Sequence, residues 1–308
     1  MLGIAALVAF ALLSAARDVW AKHLFKGTTV DADTLTFLLL VVSASTLYVV
    51  ASARQGRAYD FRELWNETPE VKRTIFWLNG CTLIAYVTTF LAIKQVDAYM
   101  NSIVDYGASP MIIAMLAVVL RGDRIAPLGI LGMTASTIGI MVVVAGYKTN
   151  APGLDSLPFA GLAYAFCSAL FASVGHVLNK NLVESGVTRE RALLVRMPLP
   201  IVALGIWVFA TGGLPPNVPW VQISVLAIFG LTIPVYLVVF ALERVQVQSL
   251  AVSLFLIPVF AYVGSVLLGH VGLSAVHAIA GFVVLAGVVV SERAAAPPAA
   301  ASQESAPA

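Results

Sequence analysis

Charged residues are scarce in this chain. Only 11% of its 308 residues are Asp, Glu, Lys or Arg, whereas a soluble domain is typically about a quarter charged. Hydrophobic residues make up 60% of the sequence, and the mean hydropathy is +0.93. This combination excludes an ordinary globular protein and indicates an integral membrane protein.

Motifs that would indicate a chemical reaction are also lacking. The two cysteines, Cys81 and Cys167, lie in separate apolar runs and suggest neither a disulfide framework nor a metal site. The four histidines form no metal-binding pair. There is no Gly-x-Ser-x-Gly and no Gly-rich phosphate loop. We therefore expect no catalytic or metal-binding residues, no cofactor and no nucleic-acid partner, with an intramembrane enzyme as the alternative of another class.

Long apolar runs dominate what is present. A membrane-spanning helix needs about 20 mostly apolar residues. Ten such runs cover residues 2–25, 34–53, 74–93, 97–120, 125–146, 158–180, 191–211, 220–241, 246–268 and 274–291. We therefore predict an all-α membrane protein of ten transmembrane helices. An Ala/Pro-rich tail, residues 293–308, is expected to be disordered and cytoplasmic.

Basic residues are distributed unevenly between the predicted loops. If the N-terminus is cytoplasmic, the opposite side carries only Lys26, Lys94 and Lys148. The cytoplasmic ends and loops then hold Arg54, Arg57, Arg62, Lys72, Arg73, Arg121, Arg124, Lys180, Arg189, Arg191, Arg196, Arg244 and Arg293. Because Lys and Arg are retained on the cytoplasmic side, we predict a multi-pass protein of the inner or plasma membrane with both termini in the cytoplasm.

The two halves of the sequence resemble each other. WLNGCTLIAYVTTF (77–90) is similar to AIFGLTIPVYLVVF (227–240), at a spacing of 150 (227 minus 77). Further matches, in the same order along the chain, are Lys22 with Lys180, Asp18 with His176, Pro110 with Pro258 and Gly139 with Gly287. Five spans per half is an odd number, so the second half must enter the membrane in the opposite sense. Inverted repeats are typical of secondary transporters, with the solute site near the midplane.

The sequence resembles the drug/metabolite transporter superfamily in its ten-span EamA-like form over about residues 1–292. The first span ends in ARDVWAK, and span 4 continues through SPMIIAMLAVVLRGDR, which contains Pro110, Gly122, Asp123 and Arg124. Span 5 contains Gly139, and the second half echoes these features as IPVFAYVGSVLLGH, including Gly269 and His270, and then Gly287. The resemblance implies one EamA-like repeat in residues 1–150, another in 151–292, a central cavity and alternating access for a small organic solute, often exported.

Charged residues inside the predicted spans are candidates for function, because a charge near the bilayer centre costs at least about 2.5–3.5 kcal/mol. Asp105 is the strongest candidate ligand for a solute or coupling ion, with Asn101 one helical turn away. Arg17 and Asp18 lie in the first span, and a purely structural pair of Asp18 with Lys22 or Arg17 is the alternative to a functional role for Asp18. Arg17 paired with Asp105, purely to hold the bundle, is the structural alternative.

Tyr86 and Tyr236 occupy matching positions in spans 3 and 8 and complete the candidate solute-binding residues. Their rings could contact a solute or simply fill the core. Two pairs of residues, each a titratable residue with a lysine, lie near opposite mouths of the predicted cavity. These pairs are Asp18 with Lys22 and His176 with Lys180, and they suit two gates or a proton path. The structural alternative for both lysines, and for Arg196 in span 7, is a side chain that extends to the membrane surface.

Both signs of charge in these spans favour a small polar solute, namely an amino acid or related zwitterion. We expect export by alternating access, with protons as the candidate coupling ion and the lipid bilayer as the surroundings. An organic anion carrier and a cationic drug carrier are the alternative transporters. The sequence leaves the oligomeric state open.

Overall fold

The computed structural model describes residues 2–56, 58–60, 67–121, 127–150, 159–245, 247–269, 272–273 and 275–295. The motif residues Gly122, Asp123, Arg124 and His270 lie outside the described residues, as does the tail from residue 296 onward. The helix before that tail extends through Ala295, past the residue 293 at which the tail was expected to begin.

The part of the chain that the structure describes contains helices and no strands. The helices are α1 (Leu2–Gly27), α2 (Ala32–Gln55), α3 (Pro69–Gln95), α4 (Ala98–Arg121), α5 (Pro127–Asn150), α6 (Phe159–Glu184), α7 (Arg189–Leu194), α8 (Pro198–Ala210), α9 (Trp220–Ala227), a π-helical turn (Ile228–Thr232), α10 (Ile233–Leu242), α11 (Val247–Leu254), α12 (Leu256–Leu267) and α13 (Ala275–Ala295).

Seven helical stretches are long and apolar enough to cross a membrane. They are Leu2–Gly27, Ala32–Gln55, Pro69–Gln95, Phe159–Glu184, Arg189–Ala210, Trp220–Leu242 and Ser249–Leu267. The all-helical, membrane-spanning class is thereby confirmed. Helix also covers the segments expected for spans 4, 5 and 10, but their crossing of the membrane, and so the count of ten, stays a prediction.

Local sequence explains where several helices begin, end or break. Thr68 caps α3 by accepting a hydrogen bond from the Val71 amide at 3.4 Å, and Pro69 supplies the first turn. Gly56 ends α2 with a φ of 65°. Pro198 and Pro258 each follow a break, since proline cannot donate the helical hydrogen bond. The seventh and ninth predicted spans are therefore interrupted helices.

The most extensive contacts join α5 to α13, α3 to α6 and α4 to α6, while α1 packs on α10 and α12. The α5–α13 contact is reciprocal. A Cβ built on Gly139 of α5 would lie 3.1 Å from Val284 Cγ2 and 3.2 Å from the Ala280 carbonyl oxygen of α13. A Cβ on Gly287 of α13 would lie 2.2 Å from Ser136 Oγ and 2.6 Å from the Gly132 carbonyl oxygen of α5. Glycine at both positions lets the two backbones approach closely.

This contact predicts that Gly287→Ala destabilises the protein, by about 1–3 kcal/mol, because the added methyl group has no room against α5. Gly281→Ala on the same helix is the matched control, since a Cβ there meets nothing within 4 Å. The melting temperatures of the purified proteins in detergent provide the comparison. Equal melting temperatures for the two variants would contradict the close packing.

Candidate functional site

A central cavity lies among helices from both halves of the chain. Its volume is about 70 Å³, enough for a few water molecules but less than the roughly 300–1,000 Å³ of a typical site for a drug-sized ligand. Its lining consists of Phe10, Ser14, Arg17, Cys81, Thr82, Ala85, Tyr86, Thr89, Asp105, Tyr106, Ser168, Phe171, Ala172, Gly175, His176, Arg196, Pro234, Val235 and Val238. α1, α3 and α4 therefore face α6, α10 and the α7–α8 break across it.

Asp105 is fixed in this cavity by a neighbour on α6. Ser168 Oγ donates a hydrogen bond to Asp105 Oδ2 at 2.9 Å, and the Thr89 hydroxyl lies 2.6 Å from Ser168 Oγ. Asp105 is only 2% exposed. These contacts hold one carboxylate oxygen and leave the other, Oδ1, with no hydrogen-bond partner among the described residues.

Two further cavity-lining residues carry a buried polar atom with no hydrogen-bond partner in the described structure. These atoms are Ser14 Oγ of α1 and His176 Nδ1 of α6. With Asp105 Oδ1, they belong to residues of three different helices that line one cavity. A buried polar group without a hydrogen bond costs roughly 1–3 kcal/mol, so three around one cavity indicate a place built for a polar occupant.

Arg17 lies on one side of the cavity and is already paired with Asp18 and Tyr106. Its Nη2 lies 2.7 Å from Asp18 Oδ1 and donates to the Tyr106 hydroxyl at 2.7 Å. Ser102 Oγ donates to the other oxygen of Asp18 at 3.3 Å. The Arg17 side chain packs directly against Gly230 in the π-helical turn, where a Cβ would lie 2.9 Å from its Cβ and Cγ. Arg17 thus pairs with Asp18, its neighbour in sequence, rather than with Asp105.

Arg196 enters the cavity from a break between helices. α7 ends at Leu194 and α8 begins at Pro198, inside a stretch that is otherwise apolar enough to span a membrane. Arg196 Nε donates to Thr82 Oγ1 at 3.2 Å, and its guanidinium lies 5.9 Å from the centre of the Tyr86 ring. The guanidinium of Arg196 therefore reaches the cavity from the break between α7 and α8.

Four of the sequence-predicted residues line the cavity together: Arg17, Tyr86, Asp105 and His176. Asp18 is fully buried immediately behind the lining, held by Arg17. Asn101 is also fully buried, one turn from Asp105, but it is not part of the lining.

Tyr236 lies in an ionic cluster away from the cavity. Its hydroxyl accepts from Arg189 Nη1 at 2.7 Å, and the guanidinium of Arg54 lies 5.5 Å from its ring centre. Arg189 also pairs with Glu243. Partial burial acts to raise the pKa of Glu243, but the hydrogen bonds and charges of Arg189 and Arg244 outweigh it and hold that pKa below its ordinary value.

Lys22 and Lys180 make equivalent contacts at two different helix ends. Lys22 Nζ donates to the carbonyl oxygens of Ile93 at 3.0 Å and Val96 at 2.9 Å, where α3 ends. Lys180 Nζ donates to those of Leu242 at 2.5 Å and Val245 at 3.2 Å, where α10 ends. Each ammonium group therefore satisfies carbonyls that a helix C-terminus leaves without partners.

Not every cavity residue could be recognised from the sequence. Ser14 and Ser168 lie on stripes of small residues in spans 1 and 6, a pattern that fits either a cavity lining or close helix packing. Cys81 lies in an apolar run and carries no signal of its own. Arg196 was weighed chiefly as a side chain reaching the membrane surface. The two prolines in RMPLP, Pro198 and Pro200, were the available signal, since a helix usually breaks before proline.

Chemically, the cavity offers a carboxylate oxygen, a guanidinium, a hydroxyl and an imidazole nitrogen between apolar walls. Within the described ranges, no group of three or more His, Cys, Asp or Glu residues is placed to hold a metal ion. The arrangement can bind a small polar molecule through its ends while its apolar part contacts Phe10, Phe171 or Val235.

Comparison with known proteins shows similarity to a family model and to solved structures. The family model described as the EamA-like transporter family matches residues 1–145 and again residues 159–292. A crystal structure of a protein, 21% identical in sequence, has a TM-score of 0.68 and covers 93% of this chain and 97% of its own. That similarity concerns the fold. No curated protein matches the sequence.

The buried pair predicts a large effect of Asp18→Asn on stability. Arg17, 7% exposed, would keep its charge without a counter-charge, which typically costs about 3–5 kcal/mol, so the melting temperature in detergent should fall by at least about 5 °C. The control is Asp31→Asn, because the pair of Asp31 with Lys94 is exposed and worth about 0–1 kcal/mol. Similar melting temperatures for both variants would argue against the Arg17–Asp18 pair.

Proposed function

The chain belongs to the EamA-like transporter family, and from this premise we propose that it is a secondary transporter whose central cavity binds a small polar metabolite. The observation that carries the proposal is that Ser14, Asp105 and His176, which line one cavity from α1, α4 and α6, each carry a buried polar atom without a partner among the described residues. A bound solute would supply the hydrogen bonds that these atoms lack. Family members are membrane transporters of the drug/metabolite type, and the cavity gives this one a candidate binding place.

The preferred solute is an amino acid or a related zwitterion. The free oxygen of Asp105 suits an ammonium group, while Arg196 supplies a positive charge from another side of the cavity. Arg17 and Asp18 offset each other. The remaining charges of the lining thus include one of each sign, which suits a molecule that carries both. An organic anion or a cationic drug would leave one of these charges without an opposite partner.

The proposed architecture is ten spans in two inverted five-helix repeats. The reciprocal contacts of Gly139 and Gly287 support it, because the two glycines match in sequence and each packs on the helix that carries the other. The matched lysines Lys22 and Lys180 support it too, since each binds the C-terminal end of the third span in its own half. Corresponding contacts on opposite sides are what a pseudo-twofold axis produces.

The small cavity volume supports alternating access, since admitting a solute would require the helices to separate. Asp18 and His176 remain the proposed gating or proton-coupling residues, with Lys22 and Lys180 holding helix ends that would move. We place the protein in the inner or plasma membrane with both termini in the cytoplasm, following the excess of Lys and Arg in the loops assigned to that side. Export is the direction that the family resemblance favours.

Uptake of a radiolabelled amino-acid mixture into proteoliposomes tests this function. We expect uptake above that of empty liposomes, enhanced by an imposed pH gradient if protons drive transport. Uptake that ignores the gradient would indicate a facilitator or exchanger. If folded protein moved no amino acid, organic anion or organic cation, the proposed function would be wrong.

A further inference from the structure

We propose that Arg196 binds a carboxylate group of the transported solute, which assigns the solute to carboxylate-bearing molecules; this inference rests on the proposed transport function. The sequence alone favours a side chain of Arg196 that extends to the membrane surface. The inference comes from the place of Arg196 in the break between α7 and α8, from its contacts with Thr82 and Tyr86, and from the N–H donors that these contacts leave unused.

Arg196 differs from the other arginines in its surroundings. Five arginines each form an ion pair with a carboxylate: Arg17 with Asp18, Arg54 with Glu190, Arg189 with Glu243, Arg191 with Glu67 and Arg244 with Glu243. Within the described residues, Arg196 pairs with no carboxylate, and its one hydrogen bond goes to the neutral hydroxyl of Thr82. A charged side chain within a membrane protein ordinarily pairs with an opposite charge or with backbone carbonyls. Among the described residues Arg196 has neither, and its charge is therefore left for a solute that binds and leaves.

The geometry leaves room for that partner. A guanidinium has five N–H donors in a planar fork, and only Nε is used by Thr82. The Nη groups remain for a carboxylate, whose two oxygens match the fork. Two residues one helical turn apart on α3 position the Arg196 side chain: Thr82 through its hydroxyl group and Tyr86 through its ring. Such positioning reduces the entropy lost when an anion binds.

The charge of the rest of the cavity selects the kind of anion. Asp105 contributes a carboxylate to the lining, and Arg17 is neutralised by Asp18. A single negative charge beside Arg196 therefore leaves the free oxygen of Asp105 for a cationic or hydrogen-bond-donating end of the same solute. A doubly charged phosphate would add repulsion from Asp105, and a purely cationic drug would lie beside an unpaired guanidinium. A monocarboxylate with a donor group fits best.

Cys81 offers a native probe of this charge. It lines the same cavity, directly next to Thr82 in the chain, whereas Cys167 is not part of the lining. In a Cys167→Ser protein, Cys81 can be modified with a negatively charged or a positively charged methanethiosulfonate reagent of similar size. Both reagents react with the same thiolate, so any change in the ionisation of the thiol cancels in the ratio of the two rates. The ratio reports the charge that a solute meets near Arg196.

The proposal predicts that the anionic reagent is favoured at Cys81, and that Arg196→Gln lowers the anionic-to-cationic rate ratio by about tenfold. Arg196→Lys, which keeps the charge, should change the ratio by less than about threefold. Arg244→Gln is the matched control, because Arg244 lies outside the cavity and is 39% exposed. If Arg196→Gln does not fold, Arg196→Met preserves the apolar stem and serves as the second variant.

An unchanged ratio in a folded Arg196→Gln or Arg196→Met protein would overturn the assignment of Arg196 and leave the transport function standing. If Cys81 in folded protein reacted with neither reagent, the cavity would not admit small molecules, and both proposals would fall. A ratio at Cys81 no higher than that at Cys167 in a Cys81→Ser protein would also contradict a carboxylate-binding charge in the cavity.

Discussion

A polar side chain inside a bundle of apolar helices can find a partner only within the protein, because lipid tails offer neither donors nor acceptors. Arg17 meets this constraint through Asp18 and Tyr106, and Gly230 clears the space that its stem needs. This pair lies in the C-terminal half of α1, a helix that also packs on α4 and α10. With its charges offset internally, the cavity keeps three residues that each carry a buried polar atom without a partner among the described residues: Ser14, Asp105 and His176.

The same constraint explains how the helices around the cavity are held. Lys22 and Lys180 supply ammonium donors to the carbonyls at the ends of α3 and α10, so that two helix C-termini do not leave them unsatisfied. Gly139 and Gly287 replace side-chain packing with close backbone contact between α5 and α13. Helices α1, α3, α4, α6 and α10 each contribute residues to the lining of the cavity.

Much of the fold could be predicted from sequence, because apolar runs of about 20 residues mark membrane helices strongly. Asp105 could be predicted to matter, since a carboxylate in such a run is costly. Its partner Ser168 could not, because the pairing depends on how α4 packs against α6. Asn101 and Tyr236 show the same limit: each lies on a predicted span, yet only the packing decides which helix face meets the cavity. The sequence left Arg196 undecided between the membrane surface and the cavity, because hydropathy does not register the helix break that places it in the cavity lining.

The central claim is that the unpartnered oxygen of Asp105 binds the solute. Initial uptake rates of Asp105→Asn and Asp31→Asn in proteoliposomes, at equal amounts of folded protein, test it most directly. Asparagine keeps the shape of Asp105 and an oxygen that can accept from Ser168, but loses the charge. Because a hydrogen bond to a charged group contributes about 1.5–3 kcal/mol, the account predicts a rate at least about tenfold lower for Asp105→Asn and a rate near that of the unchanged protein for Asp31→Asn. Equal rates for the two variants would contradict it.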